Sequence, residues 1–144
     1  MLKQATPSDL SVVAELAARL WPEQRAEELE EEFAPMLEDA DCGVFLLYEA
    51  ETPIGFAQCG LRRDYVEGTE SSPVGYLEGI YVDGEYRRQG CGRLLLTACE
   101  VWAKGKNCTE FASDCELQNE ESLRFHRNMG FEEANRIICF VKSL

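Results

Sequence analysis

A mixed α/β fold, one sheet with helices on both faces, is what this sequence predicts, and three observations predict it. Apolar residues recur at helical spacing in four segments. Short β-rich runs stand between them, and Gly- or Pro-bearing polar stretches mark the joints. In order, the elements read α-α-β-β-β-α-β-α-β, with room for a short strand at Met1–Ala5. Helices interleaved with strands in this way cover a sheet from both sides. The chain has 144 residues and no repeat, linker or low-complexity tract, so it reads as a single domain, 1–144.

Thr6-Pro7-Ser8-Asp9 is a helix-start signal. Val12, Val13, Leu16, Ala17 and Leu20 follow on one face, which predicts a helix over Ser8–Leu20, ended by Trp21-Pro22. A second helix, Glu23–Leu37, sets Leu29, Phe33 and Leu37 against a face of glutamates. Gly43–Glu49 and Ile54–Leu61 are strands joined by the turn Ala50-Glu51-Thr52-Pro53. The polar stretch Arg62–Pro73 is too long for a tight turn and reads as a substrate loop. Val74–Val82 is the central strand, and Arg93–Ala103 is a helix burying Leu95, Leu96, Cys99 and Trp102. Thr109–Ser113 is a short strand reaching Asp114, Asn119–Met129 is a helix stopped by Gly130, and Glu132–Val141 is a last strand.

Composition excludes several classes. Fourteen Lys+Arg against twenty-seven Asp+Glu give a net charge of −13, which argues against nucleic acid and anionic membrane surfaces. It is compatible with a cationic partner. Seven cysteines, no Cys-x-x-Cys pair and one histidine argue against a zinc site or a disulfide scaffold, so no metal is expected. No apolar run is long enough for a membrane span, and Met1–Thr6 lacks a signal-peptide core; a cytoplasmic address is expected.

The stretch with most chemistry is Asp83–Gly92, DGEYRRQGCG, between the central strand and the following helix. Gly90 and Gly92 let the backbone approach a ligand or adopt positive φ. The amides that open a helix have no intrahelical acceptor and lie at the positive end of its dipole, a ready site for phosphate. Arg87 and Arg88 add cationic donors.

Arg87-Arg88-Gln89-Gly90-Cys91-Gly92 resembles the acetyl-CoA signature of the GCN5-related N-acetyltransferases. Asn119, with His126-x-x-x-Gly130-Phe131, resembles their second cofactor-side motif. A narrower likeness lies in Asp64–Pro73, Leu77–Val82, Ala112-Ser113-Asp114, Gly130-Phe131-Glu132-Glu133 and Trp21-Pro22, which resemble the aminoglycoside 6'-N-acetyltransferases. The resemblance implies a mostly antiparallel sheet with a splayed parallel pair, and acetyl transfer from acetyl-CoA to the 6'-amine of an aminoglycoside. It puts Ile80, Tyr81 and Val82 beside the thioester, and Arg87, Arg88, Gln89, Gly90, Cys91, Gly92, Arg93 and Asn119 on the cofactor. It also implies a homodimer, with Ile137–Val141 available to pair or exchange.

Five residues are candidates for the acceptor chemistry. Glu78, a carboxylate within an apolar strand, is the candidate ammonium ligand and base; the other reading is an outward-facing residue or an internal ion pair. Asp114 ends a strand at the edge where open α/β sheets bind ligands, or else caps its loop. Trp21 and Tyr65 are candidate walls for a sugar ring, Trp21 being equally readable as core. His126 stands where the resemblance usually has tyrosine as general acid; a packing role fits it as well. Two further functions stay open: an acetyltransferase for another cationic amine, such as a polyamine or a lysine side chain, and a CoA-binding sensor without catalysis.

Overall fold

The computed structural model describes residues 1–144. Its sheet has five strands in chain order: β1 (Leu2–Gln4), β2 (Cys42–Glu49), β3 (Thr52–Arg62), β4 (Val74–Val82) and β5 (Phe111–Ser113). Pairing is antiparallel from β1 through β4, and β4 and β5 run parallel. The helices are α1 (Leu10–Leu20), α2 (Ala26–Met36), α3 (Cys91–Gly105) and α4 (Glu120–Asn128), with single 3-10 turns at Pro7–Asp9 and Gly84–Tyr86. This is the mixed sheet with helices on both faces that the element order predicts.

Strand β2 shows how the two faces are filled. Successive side chains on a strand point to opposite faces. Val44 and Leu46 therefore join Val13, Leu16 and Ala17 of α1 and Leu29 and Phe33 of α2. Phe45 and Leu47 join Leu95, Leu96 and Cys99 of α3 on the other side. Covering both faces is why β2 reads as an unbroken apolar run rather than an alternating one. Phe56 of β3, fully buried, meets Phe33 and Trp21 edge-on at 6.4 and 6.2 Å.

The feature that positions the site is the short parallel ladder. Only Gly75↔Phe111, Tyr76↔Ala112 and Leu77↔Ser113 pair. Strand β4 continues to Val82, held on its other side by β3 as far as Gly55↔Val82. From Glu78 onward β4 has no strand on its β5 side.

Two elements differ from their predicted form. Arg62 is the last residue of β3, paired opposite Val74, rather than the first residue of the loop. The expected strand Glu132–Val141 pairs with no edge of this chain; Ile137, Ile138, Phe140 and Val141 are 69–98% exposed. β-Rich composition supplies the side chains of a strand, but a strand also needs a neighbouring edge for its amides and carbonyls. The predicted N-terminal strand does form, as β1 against β2.

Phe56→Ala should cost about 3–5 kcal/mol, because it removes a buried ring that contacts both helices of one face. The denaturant midpoint of the variant against wild type measures this.

Candidate active site

Helix α1 ends at Trp21, and its indole lies flat enough on β4 that a Cβ at Gly79 would come within 2.8 Å of Trp21 Cη2. Glycine at 79 is what admits the ring. The indole and Glu78 line one cavity of about 500 Å³, together with Gln58, Glu32, Asp39 and Asp41. That volume suits a small-molecule site. Its lining carries four carboxylates, from α2, the turn before β2, and β4. Of the predicted acceptor residues, the structure brings Trp21 and Glu78 together here.

Glu78 is not free. Arg62 Nη2 donates to Glu78 Oε1 and Oε2 at 2.8 and 3.0 Å, and Arg62 Nε donates to Oε1 at 3.1 Å. The internal ion pair that the sequence left open is therefore present. The Arg62 guanidinium lies 3.4 Å from the centre of the Tyr76 ring, and the Tyr76 hydroxyl donates to Asp114 Oδ2. Burial first, and then this hydrogen bond, push the Tyr76 phenol well above its ordinary value. A chain of contacts thus joins the two predicted carboxylates: Glu78, Arg62, Tyr76, Asp114. Arg62 and Glu78 are 43% and 34% exposed, so their pairing contributes on the order of 1 kcal/mol at most to stability. Arg63 repeats the pattern on Asp41, Nη1 to Oδ2 at 2.7 Å, and this guanidinium holds the Asp41 carboxyl below its usual value.

Asp114 and Tyr65 do not line that cavity. Asp114 is exposed just past β5, and Tyr65 is 77% exposed on the loop between β3 and β4. The loop is nevertheless ordered. Glu110 Oε1 accepts from the amides of Glu70 and Ser71 at 2.9 and 2.8 Å and from the Ser71 hydroxyl. The Ser71 hydroxyl is the main reason the Glu110 carboxyl sits below its ordinary range. Val66 anchors the loop from beneath, packed with Val74 and Tyr76.

His126 stands at the parting of the strands. Its Nδ1 donates to the Ser122 carbonyl at 2.7 Å, and its Nε2 is 2.8 Å from Ser113 Oγ, on the last residue of the parallel ladder. A neutral ring accepts the Ser113 hydroxyl proton at Nε2; an imidazolium donates there. Phe125 and Phe131 meet the ring edge-on at 5.7 and 5.1 Å.

Beyond β4 the chain makes a phosphate-sized cradle. The turn passes through two left-handed residues, Arg88 at φ 62° and Gly90 at φ 83°. Gly90 is the N-cap of α3, and no side chain caps the helix. Leu94 N is the first amide of α3 bonded back, to Gly90 O at 3.1 Å; the amides from Arg88 to Arg93 find no acceptor in the chain. Consecutive free amides at a helix start favour an anion. Arg87 Nε donates to Val82 O at 2.9 Å, which ties the turn to the end of β4, while Arg88 makes no ion pair. Gly92 has ordinary φ, and a Cβ there would meet Phe125 at 3.5 Å, so glycine is required by the backbone at 90 but not at 92. Cys91 and Arg93 belong to the first turn of α3, and Gln89 Nε2 donates to Glu85 O at 3.0 Å. Asn119 caps α4, its side-chain oxygen accepting from Ser122 N at 3.1 Å. Ile80 and Tyr81 are half-buried and Val82 is buried, all on the part of β4 that has left β5.

Arg62, Tyr76, Gln58 and Ser113 escaped the sequence reading. Alternation along β4 puts Tyr76 and Glu78 on one face, a signal that was present. Gln58 pairs with Gly79 and Cys59 with Leu77, which leaves Glu78 as the extra, bulged residue of β4, and residue types do not announce a bulge.

The helix-covered sheet, parted strands and amide cradle define a class, and the comparisons agree with it. The profile of the Acetyltransferase (GNAT) family matches residues 10–131. The chain belongs to the GNAT acetyltransferases. Within that family it is similar to the aminoglycoside N(6')-acetyltransferases type 1 of Stenotrophomonas maltophilia, at 44% identity over 96% of this chain and 90% of the relative, and of Acinetobacter haemolyticus, at 39% over 99% and 98%. Among solved structures it is similar to AAC(6')-Iy in complex with the bisubstrate analog CoA-S-monomethyl-acetylneamine. The TM-score there is 0.95 at 33% identity, covering 100% of this chain and 98% of that one.

Gly90→Val should raise the KM for acetyl-CoA about tenfold, because a β-branched residue resists the positive φ that aims the amides. Steady-state kinetics at saturating acceptor checks it, and an unchanged KM would sink the cradle.

Proposed function

We propose that this protein transfers the acetyl group of acetyl-CoA to the 6'-amine of aminoglycoside antibiotics, and so confers resistance to them. The observation that carries the reading is the cavity joining Trp21 to Glu78 beside the parting of β4 from β5. An acid-lined cavity next to an aromatic wall suits an amino sugar, which brings both ammonium groups and a ring face. Kinship with the aminoglycoside N(6')-acetyltransferases supports the same acceptor.

Acetyl-CoA supplies an activated thioester. The fit is favourable: consecutive free amides and the Arg87, Arg88 and Arg93 side chains suit its pyrophosphate, and the unpaired edge at Ile80–Val82 suits the pantetheine arm. In this reading, Asn119 borders the cofactor by shaping the start of α4. Glu78 binds the reacting ammonium and takes its proton, directly or through water. Trp21 holds the sugar ring, and Asp114 and Tyr65 hold parts of the acceptor outside the cavity. A backbone amide of the β4 edge polarises the thioester carbonyl. His126, fixed by Ser122 and Ser113, is the proton source for the departing sulfur. Orientation by the two halves of the site supplies much of the acceleration. Residues 1–144 are read as one catalytic domain. Seven free cysteines support the reading of a reducing compartment, the cytoplasm.

The same proposal includes a homodimer. Residues 132–144 leave Ile137, Ile138, Phe140 and Val141 exposed with no ladder in their own chain. An extended apolar segment of this kind finds its missing edge on a second copy.

Glu78→Gln should lower kcat on kanamycin by about 10²–10⁴-fold while leaving the KM for acetyl-CoA within twofold. Thiol release with kanamycin, a 6'-hydroxyl analogue, spermidine and a lysine peptide tests the acceptor; turnover on the last two alone would overturn it. Phe140→Asp should move the mass in sedimentation from a dimer toward the 16.3 kDa monomer; a monomeric wild type would overturn the dimer.

A further inference from the structure

Cations are scarce in this chain, fourteen against twenty-seven acids, yet two consecutive arginines at the end of β3 are placed on carboxylates of the cavity lining. Arg62 holds both oxygens of Glu78, and Arg63 holds Asp41. The Arg62–Glu78 pair is too open to water to serve as a structural anchor. Its guanidinium nevertheless occupies the oxygens that an acceptor ammonium needs, under the aminoglycoside reading on which this inference rests. The guanidinium also stacks 3.4 Å from the centre of the Tyr76 ring, whose hydroxyl donates to Asp114.

We infer that Arg62 is an internal counter-cation that competes with the acceptor ammonium for Glu78 and sets a common affinity threshold, one that a polycation passes and a singly charged amine does not. Exchanging one cation for another on the same carboxylate gains little. A monoamine has only that exchange to offer. A polycationic acceptor adds attraction at Glu32 and Asp39, lining carboxylates that no arginine holds, and this tips the exchange. Arg62 is half-exposed on a long flexible stem, so the guanidinium can leave Glu78 without disturbing the core.

The test compares kanamycin with 6-amino-6-deoxyglucose, which presents one amine, in wild type, Arg62→Gln and Arg62→Lys. In Arg62→Gln the KM for both acceptors should fall by a similar factor, about fivefold, with kcat changing less than KM. The monoamine thereby comes within reach of measurable turnover, and Arg62→Lys, which keeps the charge, should restore most of the barrier. A KM for acetyl-CoA equal to wild type reports an intact fold. Rising KM and falling kcat for both acceptors in Arg62→Gln would overturn the inference, since that is the signature of a residue that only positions Glu78. Unmoved KM values would overturn it as well. A wild type that acetylates neither acceptor would instead overturn the acceptor assignment, and this inference with it.

Discussion

The parallel ladder between β4 and β5 ends after three residue pairs, and the functional half of the molecule depends on that ending. A central strand ordinarily has its amides and carbonyls paired on both sides. Here β4 runs on past Leu77 with β3 on one side only. The released edge lies between the cavity of Trp21 and Glu78 and the amide cradle at Gly90. His126 reaches it through Ser113, the residue at which pairing stops. Extending the ladder past Leu77 would pair the edge that is now released.

Electrostatics divides the same region. Net charge describes the molecule at long range, but screening in physiological salt limits each exposed charge to about 8 Å. Within that radius the chain is patterned. Arg87, Arg88 and Arg93 gather at the cradle, where Arg87 also pairs with Glu121 at 3.4 Å, while Glu32, Asp39, Asp41 and Glu78 gather at the cavity. A polyanion and a polycation can therefore bind side by side. Arg62 and Arg63 are the exceptions on the acidic side, each already paired with a carboxylate.

Much of this was legible in the residues because it is local. Helical spacing placed α1, the glycine turn placed the start of α3, and Asn119 marked the cap of α4. Trp21 and Glu78 were readable because each is an uncommon residue for its position, an indole at a helix end and a carboxylate in an apolar strand. What escaped is relational. The Arg62–Glu78 fork forms at a bulge in β4 whose extra residue is Glu78, and the Ser113–His126 contact depends on the packing of α4 against the end of β5. The strand expected at Glu132–Val141 failed for the same reason: its residues have β character, but the edge it needs is not in its own chain. Gly92 has an ordinary backbone, so of the two roles expected of the motif glycines only close approach to a ligand applies to it.

The amide cradle has a consequence for inheritance. It is made mainly of main-chain donors, which every residue but proline provides, so most side-chain substitutions around it leave its chemistry in place. The acceptor cavity is made of individual side chains from α1, α2, the turn before β2, β3 and β4, each replaceable by a single codon change. Descendants of this sequence can drift toward new amines one residue at a time while the donor half is passed on intact. Selection for a new acceptor would act on that unequal division, and the donor half is the one that depends on the fewest side chains.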